Sequence, residues 1–285
     1  MRTVFFNGQF IPEGEAKVSI FDRGYLFADA VYEVVSVLDR KLIDFAGHMG
    51  RLARSLAEMS MPPTYHDEQW LELLRALIDR NNLNEGLIYL QISRGNPGDR
   101  SFYWPSAETA PTILAFTQNM ALLDNPAASA GLSVVTLPDL RWGRADIKTT
   151  QLLYASMMKM EAKAAGADDA WLERDGLITE GTSQNAHIVN SEGVLLSHQL
   201  DRNILHGITR AAMLSLAGGM NIRYEQRAFT VAEAETAREA FVTSASTFVM
   251  PVTSINGKAI GGGKPGPVAG ELRRAYIDWA MDNAV

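Results

Sequence analysis

Four short segments gather residue types able to do chemistry. They are Asp146, Ile147 and Lys148; the string Thr179, Glu180, Gly181, Thr182, Ser183, Gln184 and Asn185; Ile204 to Arg210, with Leu205, His206, Gly207, Ile208 and Thr209; and Val242 to Thr247, with Ser244, Ala245 and Ser246. Small hydroxyl residues and glycines near element boundaries let backbone amides and hydroxyls reach an anion. Lys148 offers an amine, but alone it reads as well as a solvated residue ahead of a helix. Glu180 alone reads as well as a turn residue before Gly181. No segment has metal-ligand or Walker-type spacing, and His187, His198 and His206 are dispersed, so no metal is assigned.

The elements that must position these segments follow from periodicity. Thr3 to Phe10 is extended, with a hairpin signal at Asn7 and Gly8. Ala30 to Leu38 is rich in β-branched residues, and after a turn at Asp39 and Arg40 the strand resumes over Lys41 to Phe45. Met49, Leu52, Leu56 and Met59 mark an amphipathic helix over Ala46 to Met61, and a second runs from about His66 to Asn81. Strands Gly86 to Arg94 and Pro111 to Thr117 flank the polar and aromatic loop Gly95 to Ala110. Asn119 to Gly131 breaks both periodicities and reads as a linker. Beyond it come strand Leu132 to Pro138, helix Gln151 to Ala165, strands Asp169 to Arg174 and Ala186 to Asn190, and helix Thr209 to Ala217. Strand Asn221 to Arg227, helix Val231 to Ala237, strand Ala240 to Thr243 and helix Pro267 to Met281 complete the chain. The implied division is an N-terminal domain over 1–118, a linker over 119–131 and a C-terminal domain over 132–285.

Composition narrows the function classes. With 33 acidic and 26 basic residues the formal charge is −7, which leaves no broad basic surface for nucleic acid or anionic lipid. Cysteine is absent, which removes disulfides and thiolate chemistry and agrees with a cytoplasmic setting. No window holds eighteen uninterrupted apolar residues, so neither export nor membrane spanning is expected.

Taken in order, the four segments resemble those of the fold type IV pyridoxal-phosphate enzymes, which include D-amino-acid and branched-chain aminotransferases and aminodeoxychorismate lyase. The resemblance runs from Phe21, Asp22, Arg23 and Gly24 to Asn256, Gly257 and Lys258, and its motifs look most like the D-amino-acid group. It implies an α+β two-domain fold, with a smaller N-terminal α/β domain and a larger C-terminal domain built on a pseudo-barrel-like sheet and helices. It also implies pyridoxal 5'-phosphate as cofactor and a homodimer with active sites near the subunit boundary. By the same resemblance Lys148 forms the Schiff base and then acts as general base, and Glu180 partners the pyridine nitrogen. Arg51, Ile208, Thr209, Ala245 and Ser246 would hold the phosphate, with Ala245 standing where relatives often carry threonine. Leu205 would pack under the ring, and Tyr32 would point from its strand toward the cofactor.

The resemblance is less complete at the substrate. D-specific relatives often hold the α-carboxylate with an arginine, a histidine two residues later and a lysine on the strand after the tyrosine. Arg100 fits the arginine, but Phe102 and Ser36 stand in the other two places. Arg100 alone can still bind a carboxylate, so the expected reaction moves the amino group of a D-amino acid to 2-oxoglutarate or pyruvate. Missing donors should weaken discrimination against substrates without a carboxylate, and Phe102, Tyr103, Trp104 and Trp142 offer aromatic surface for (R)-configured primary amines. A branched-chain L-aminotransferase, an aminodeoxychorismate lyase and a non-catalytic homodimer keeping the fold are the alternatives.

Overall fold

The computed structural model describes residues 1–285. They form two compact units, one comprising Met1–Ala121, Ile147–Gln151 and Asn283–Val285, the other Leu122–Asp146 and Leu152–Asp282. No helix is long and apolar enough to cross a membrane.

The first unit contains β1 (Thr3–Phe6), β2 (Gln9–Pro12), α1 (Arg23–Phe27), β3 (Ala30–Leu38), β4 (Lys41–Leu42), α2 (Phe45–Glu58), α3 (Asp67–Asn81), β5 (Gly86–Ser93) and β6 (Thr112–Asn119). Its six-stranded sheet has the order β2-β1-β6-β5-β3-β4, with every neighbouring pair antiparallel. Alternation fixes which side chains face the helices. Val31, Val35, Val37, Ile88, Leu90 and Ile92 join Met49, Leu52 and Leu56 of α2 and Trp70, Leu74 and Leu77 of α3 in one core. Tyr32 and Ser36 therefore project from the opposite face of β3. The strand expected through Phe45 stops at Leu42, because Asp44 turns into the left-handed region at φ 54° and becomes the residue before α2.

The second unit contains α4 (Ala127–Ala130), β7 (Leu132–Pro138), α5 (Leu153–Ala164), β8 (Asp169–Arg174), β9 (Leu177–Gly181), β10 (Asn185–Val189), β11 (Leu195–Ser197) and α6 (Ile208–Gly219). It continues through β12 (Tyr224–Gln226), β13 (Phe229–Thr230), α7 (Val231–Glu235), β14 (Glu239–Ser244), β15 (Phe248–Ile255), β16 (Lys258–Ala259) and α8 (Pro267–Asp282). The ten-stranded sheet runs β12-β11-β10-β14-β15-β7-β8-β9-β13, with β16 on β15. It is mixed: β7 lies parallel to both β8 and β15, and β11 to β12, whereas the other pairs are antiparallel. Trp171, Ile178, Ile188, Phe229, Val242 and Met250 contribute to its core. The fold is α+β, as the sequence leads one to expect.

Candidate active site

Lys148 belongs to the first unit through backbone pairing. The Tyr32 amide donates to the Lys148 carbonyl at 3.0 Å, the Thr150 amide to the Ala30 carbonyl at 3.1 Å, and Val31 bridges Thr149. The Lys148 amide in turn donates to Ser55 Oγ at 3.3 Å. Because this segment is extended along β3, the expected helix begins only at Leu153. Lys148 Nζ lies 4.2 Å from the centroid of the Tyr32 ring. Tyr32 stacks on Tyr89 at 5.5 Å and Tyr89 on Phe116 at 5.0 Å, so a ladder across β3, β5 and β6 fixes the ring facing the amine. Burial and the neighbouring Tyr32 push the Tyr89 hydroxyl well above its ordinary value, so it stays protonated and donates to Gln91 Oε1 at 2.7 Å. Replacing Tyr89 with leucine removes the ring behind Tyr32. We expect kcat to fall about tenfold in steady-state assays with little loss of stability.

Arg51 lies on α2 with its Nε and Nη2 each 2.8 Å from the Glu33 carboxylate, whose Oε2 is also 2.7 Å from His48 Nδ1. All three side chains are buried. Burial pushes the Glu33 carboxyl up, but the Arg51 charge and hydrogen bonds, with those of His48, outweigh it and hold the group well below the ordinary carboxylate range. A folded-state pKa depressed in this way stabilises the fold above the ordinary value of 4.5, and the contribution is lost as pH falls below it. Glu33→Gln is expected to cost about 3–5 kcal/mol at neutral pH, the usual penalty for stranding a buried charge. Thermal unfolding between about pH 5 and pH 3 should then be flatter for the variant than for the wild type.

The residues expected at the substrate divide into groups. Tyr32 meets Lys148, and Ser36 is buried on the same face of β3. Arg100 and Phe102 meet at Phe27, where the two rings contact edge to face at 5.5 Å and Arg100 lies 5.2 Å from the Phe27 centroid. Trp142, in the second unit, is an exposed aromatic.

Within the second unit the sequence-singled segments converge on Glu180. Arg141 Nη1 donates to its Oε1 at 2.6 Å, and Asn185 Nδ2 at 2.9 Å and the Leu205 amide at 3.0 Å donate to its Oε2. Arg141 also forks onto Asp139, with Nε 2.9 Å from Oδ1 and Nη2 2.9 Å from Oδ2. Thr179 Oγ1 donates to Asp139 Oδ2 at 2.8 Å, and Thr182 Oγ1 to Asp169 Oδ1 at 2.6 Å. These two hydroxyls, grouped in the sequence with possible anion donors, therefore anchor the string internally. Burial pushes the Glu180 carboxyl up and Arg141 opposes it. At Asp139 burial acts in the same sense but is outweighed by Arg141 and Thr179, which hold that carboxyl down. Asp139 thus balances part of the Arg141 charge, leaving Glu180 a carboxylate held by three donors with an acceptor position on Oε1 still available.

Asn185 ties this carboxylate to the remaining segments. It pairs with Thr243 across β10 and β14, its Nδ2 donates to the Leu205 carbonyl at 2.9 Å, and its Oδ1 occupies the space next to Gly207. A Cβ on Gly207 would sit 2.0 Å from that oxygen, so a side chain there would have to displace the Asn185 amide that holds Glu180. Gly207 precedes α6 without any side-chain cap, which leaves the first-turn amides at Ile208 and Thr209 without that partner. Helix α6 packs against β14 and β15, whose connecting turn carries Ser244, Ala245, Ser246 and Thr247. There Ser244 Oγ lies 3.2 Å from Ser246 Oγ and 2.8 Å from Thr247 Oγ1. A buried carboxylate, an uncapped helix start and a hydroxyl turn form a donor and acceptor set that fits a pyridinium nitrogen and a phosphate.

Glu33, His48, Tyr89, Asp139 and Arg141 were not legible as site residues. Asp139 and Arg141 follow β7 only two residues apart, a spacing that carries a signal only once Glu180 is known to face them.

The Amino-transferase class IV family model matches residues 30–255. The chain is 38% identical over 272 residues to a D-alanine aminotransferase of Bacillus licheniformis, covering 95% of each protein. It is 37% identical to a D-alanine aminotransferase of Staphylococcus aureus, covering the whole of both. Its fold superposes with a TM-score of 0.87 on the crystal structure of the branched-chain amino acid aminotransferase of Escherichia coli, at 22% identity over 98% of this chain and 94% of that one. With the matched region spanning Lys148, Glu180, Gly207 and Ser246, the chain belongs to the class IV aminotransferases, enzymes that depend on pyridoxal 5'-phosphate.

Proposed function

We propose that the enzyme transfers the amino group of a D-amino acid, D-alanine foremost, to a 2-oxo acid such as 2-oxoglutarate or pyruvate, working as a cytoplasmic homodimer. The observation that carries this reading is identity of 36–38% with proteins named D-alanine aminotransferase over nearly the full chain. Bound pyridoxal 5'-phosphate supplies an aldehyde that condenses with primary amines and a ring that accepts the electron pair left at the substrate Cα. Lys148 would hold the cofactor through its side-chain amine, and that amine would take the proton from the substrate Cα. Glu180 keeps the ring nitrogen protonated. Arg51, Ile208, Thr209, the Ala245 amide and the Ser246 hydroxyl would hold the phosphate, and Leu205 would pack against the ring.

Arg100 holds the substrate carboxylate, with Tyr32, Ser36, Phe102 and Trp142 shaping the surrounding surface. In support, the Arg100 guanidinium contacts the aromatic rings of Phe27 and Phe102, a placement that leaves its fork open to a carboxylate. Phe102, Tyr103 and Trp104 are 77%, 86% and 58% exposed, an aromatic cluster suited to a second copy of the chain. With Ser36 and Phe102 in place of basic groups, slow turnover of (R)-1-phenylethylamine is part of the reading. Three assays test it: D-alanine with 2-oxoglutarate, L-leucine with 2-oxoglutarate, and aminodeoxychorismate alone. D-alanine should exceed L-leucine in kcat/KM by about 100-fold. Preference for L-leucine, or pyruvate release from aminodeoxychorismate without an acceptor, would replace it with the corresponding alternative.

A further inference from the structure

The connection between β5 and β6 is long and contains no helix or strand, yet its course is held at both ends and in the middle. Asp22 ties the ends. Its Oδ2 accepts from Ser93 Oγ at 2.9 Å and from Thr112 Oγ1 at 2.6 Å, while its Oδ1 caps the Gly24 amide at 2.8 Å. Arg23 holds the middle. Its side chain is buried, with Nε 2.7 Å from Asp29 Oδ2 and Nη1 donating to the carbonyls of Ser101 at 2.6 Å and Tyr103 at 3.3 Å. Its amide also donates to the Gly95 carbonyl at 2.9 Å.

The same carboxylate accepts from Arg94, through Nε at 2.8 Å and Nη2 at 3.1 Å, and Arg94 stacks 4.4 Å from the Trp104 centroid. Two guanidiniums therefore share the Asp29 carboxylate, and each also grips the loop. The Arg23 guanidinium lies 4.6 Å from the Phe27 centroid, and Arg100 lies 5.2 Å from it and 4.9 Å from Phe102. Phe27 is thus the surface against which both the holding arginine and the free one are set.

The geometry points to Arg23 as a positioning residue for amino-acid recognition. Clamped by Asp29, it sets the path of the Ser101–Tyr103 backbone and thereby presents the Arg100 guanidinium, with the Phe102 ring beside it, to a substrate carboxylate. This rests on the reading of Arg100 as the carboxylate holder. A planar fork is needed for the task, because one group must reach a carboxylate along one edge, two carbonyls along another and a ring with its face. Lysine can keep the ion pair with Asp29 but cannot make the other contacts together.

The test compares wild type, Arg100→Ala and Arg23→Lys as holoenzymes, with D-alanine and 2-oxoglutarate as substrates and thermal unfolding as the check on folding. Arg100→Ala should raise KM for D-alanine. Arg23→Lys should raise the same KM about tenfold with kcat within about twofold, since it misplaces binding without touching the chemistry. Trypsin should also cut after Arg100 faster in Arg23→Lys than in wild type. If Arg23→Lys does not fold, Phe27→Leu replaces it and should raise that KM about threefold. An unchanged KM in the Arg23 or Phe27 variant, or a fall in kcat and stability without a KM change, overturns the positioning role while Arg100→Ala still supports the carboxylate reading. An unchanged KM in Arg100→Ala, or no turnover of D-alanine by wild type, removes that reading and this proposal with it.

Discussion

Replacing Lys148 with alanine is expected to abolish transamination while leaving the fold intact. The segment that carries it is fixed by main-chain groups that alanine retains: the Lys148 carbonyl accepting from Tyr32 and its amide donating to Ser55 Oγ. What disappears is the amine set against the Tyr32 ring. Since in the proposed reading this amine is both attachment point and proton carrier at the substrate Cα, turnover should fall by about 10⁴-fold, the upper end for loss of a positioned general base. The visible absorption of the purified protein should change as well, because no lysine at this position can bond the cofactor. A small primary amine added to the assay should restore part of the activity by replacing the missing proton carrier. Turnover within tenfold of wild type, with the absorption band retained, would mean that another lysine does this work.

Much of the architecture is legible because burial on one face writes a period into the chain. The alternation of Val31, Val35 and Val37 with Tyr32 and Ser36, and the spacing Trp70, Leu74, Leu77 in α3, give β3 and α3 their observed places within a residue or so. The strands that escape notice lack such a period. In β9 Ile178, Thr179, Glu180 and Gly181 are all buried, and in β15 Phe248 to Val252 form an unbroken buried run, so neither alternates. Nor does any local pattern mark Ile147–Gln151 as a partner of β3. Its pairing with Ala30 to Tyr32 spans well over a hundred residues and is decided by tertiary contacts alone. The site shows the same division. Lys148, Glu180, Gly207 and Ser246 stand in recognisable strings, whereas Asp139, Arg141 and Tyr89 acquire meaning only from what the fold sets beside them.

Glu180→Gln should be the second most damaging substitution, and the reasons lie in its donors. Both carboxylate oxygens accept: Oε1 from Arg141, and Oε2 from Asn185 and the Leu205 amide. Glutamine offers one acceptor and one amide NH₂, so whichever way it turns, an NH₂ faces an existing N–H donor. Placed toward Arg141 it repels a guanidinium; placed toward Leu205 it leaves a backbone amide and Asn185 Nδ2 without their acceptor. The structural cost of one such mismatch is about 1–3 kcal/mol, which the fold should survive. Arg141 keeps its fork on Asp139, so the charge beside the site remains balanced on that side. With Glu180 as the proposed partner of the ring nitrogen, the functional cost is greater, because a neutral amide cannot hold that nitrogen protonated and the charge developing at the substrate Cα loses its counterweight. We expect kcat to fall about 10²–10³-fold, in the range for removal of one preorganised electrostatic partner. KM for the amino donor should change little, since Glu180 does not touch the carboxylate being bound in this reading. The pairing with Glu180→Asp separates charge from reach: aspartate keeps the negative group but draws it back from Leu205 and Asn185, and should recover a measurable part of the loss. Wild-type kcat in Glu180→Gln would show that the buried carboxylate merely holds β9 and the Leu205 loop together, and that the ring nitrogen is controlled from elsewhere.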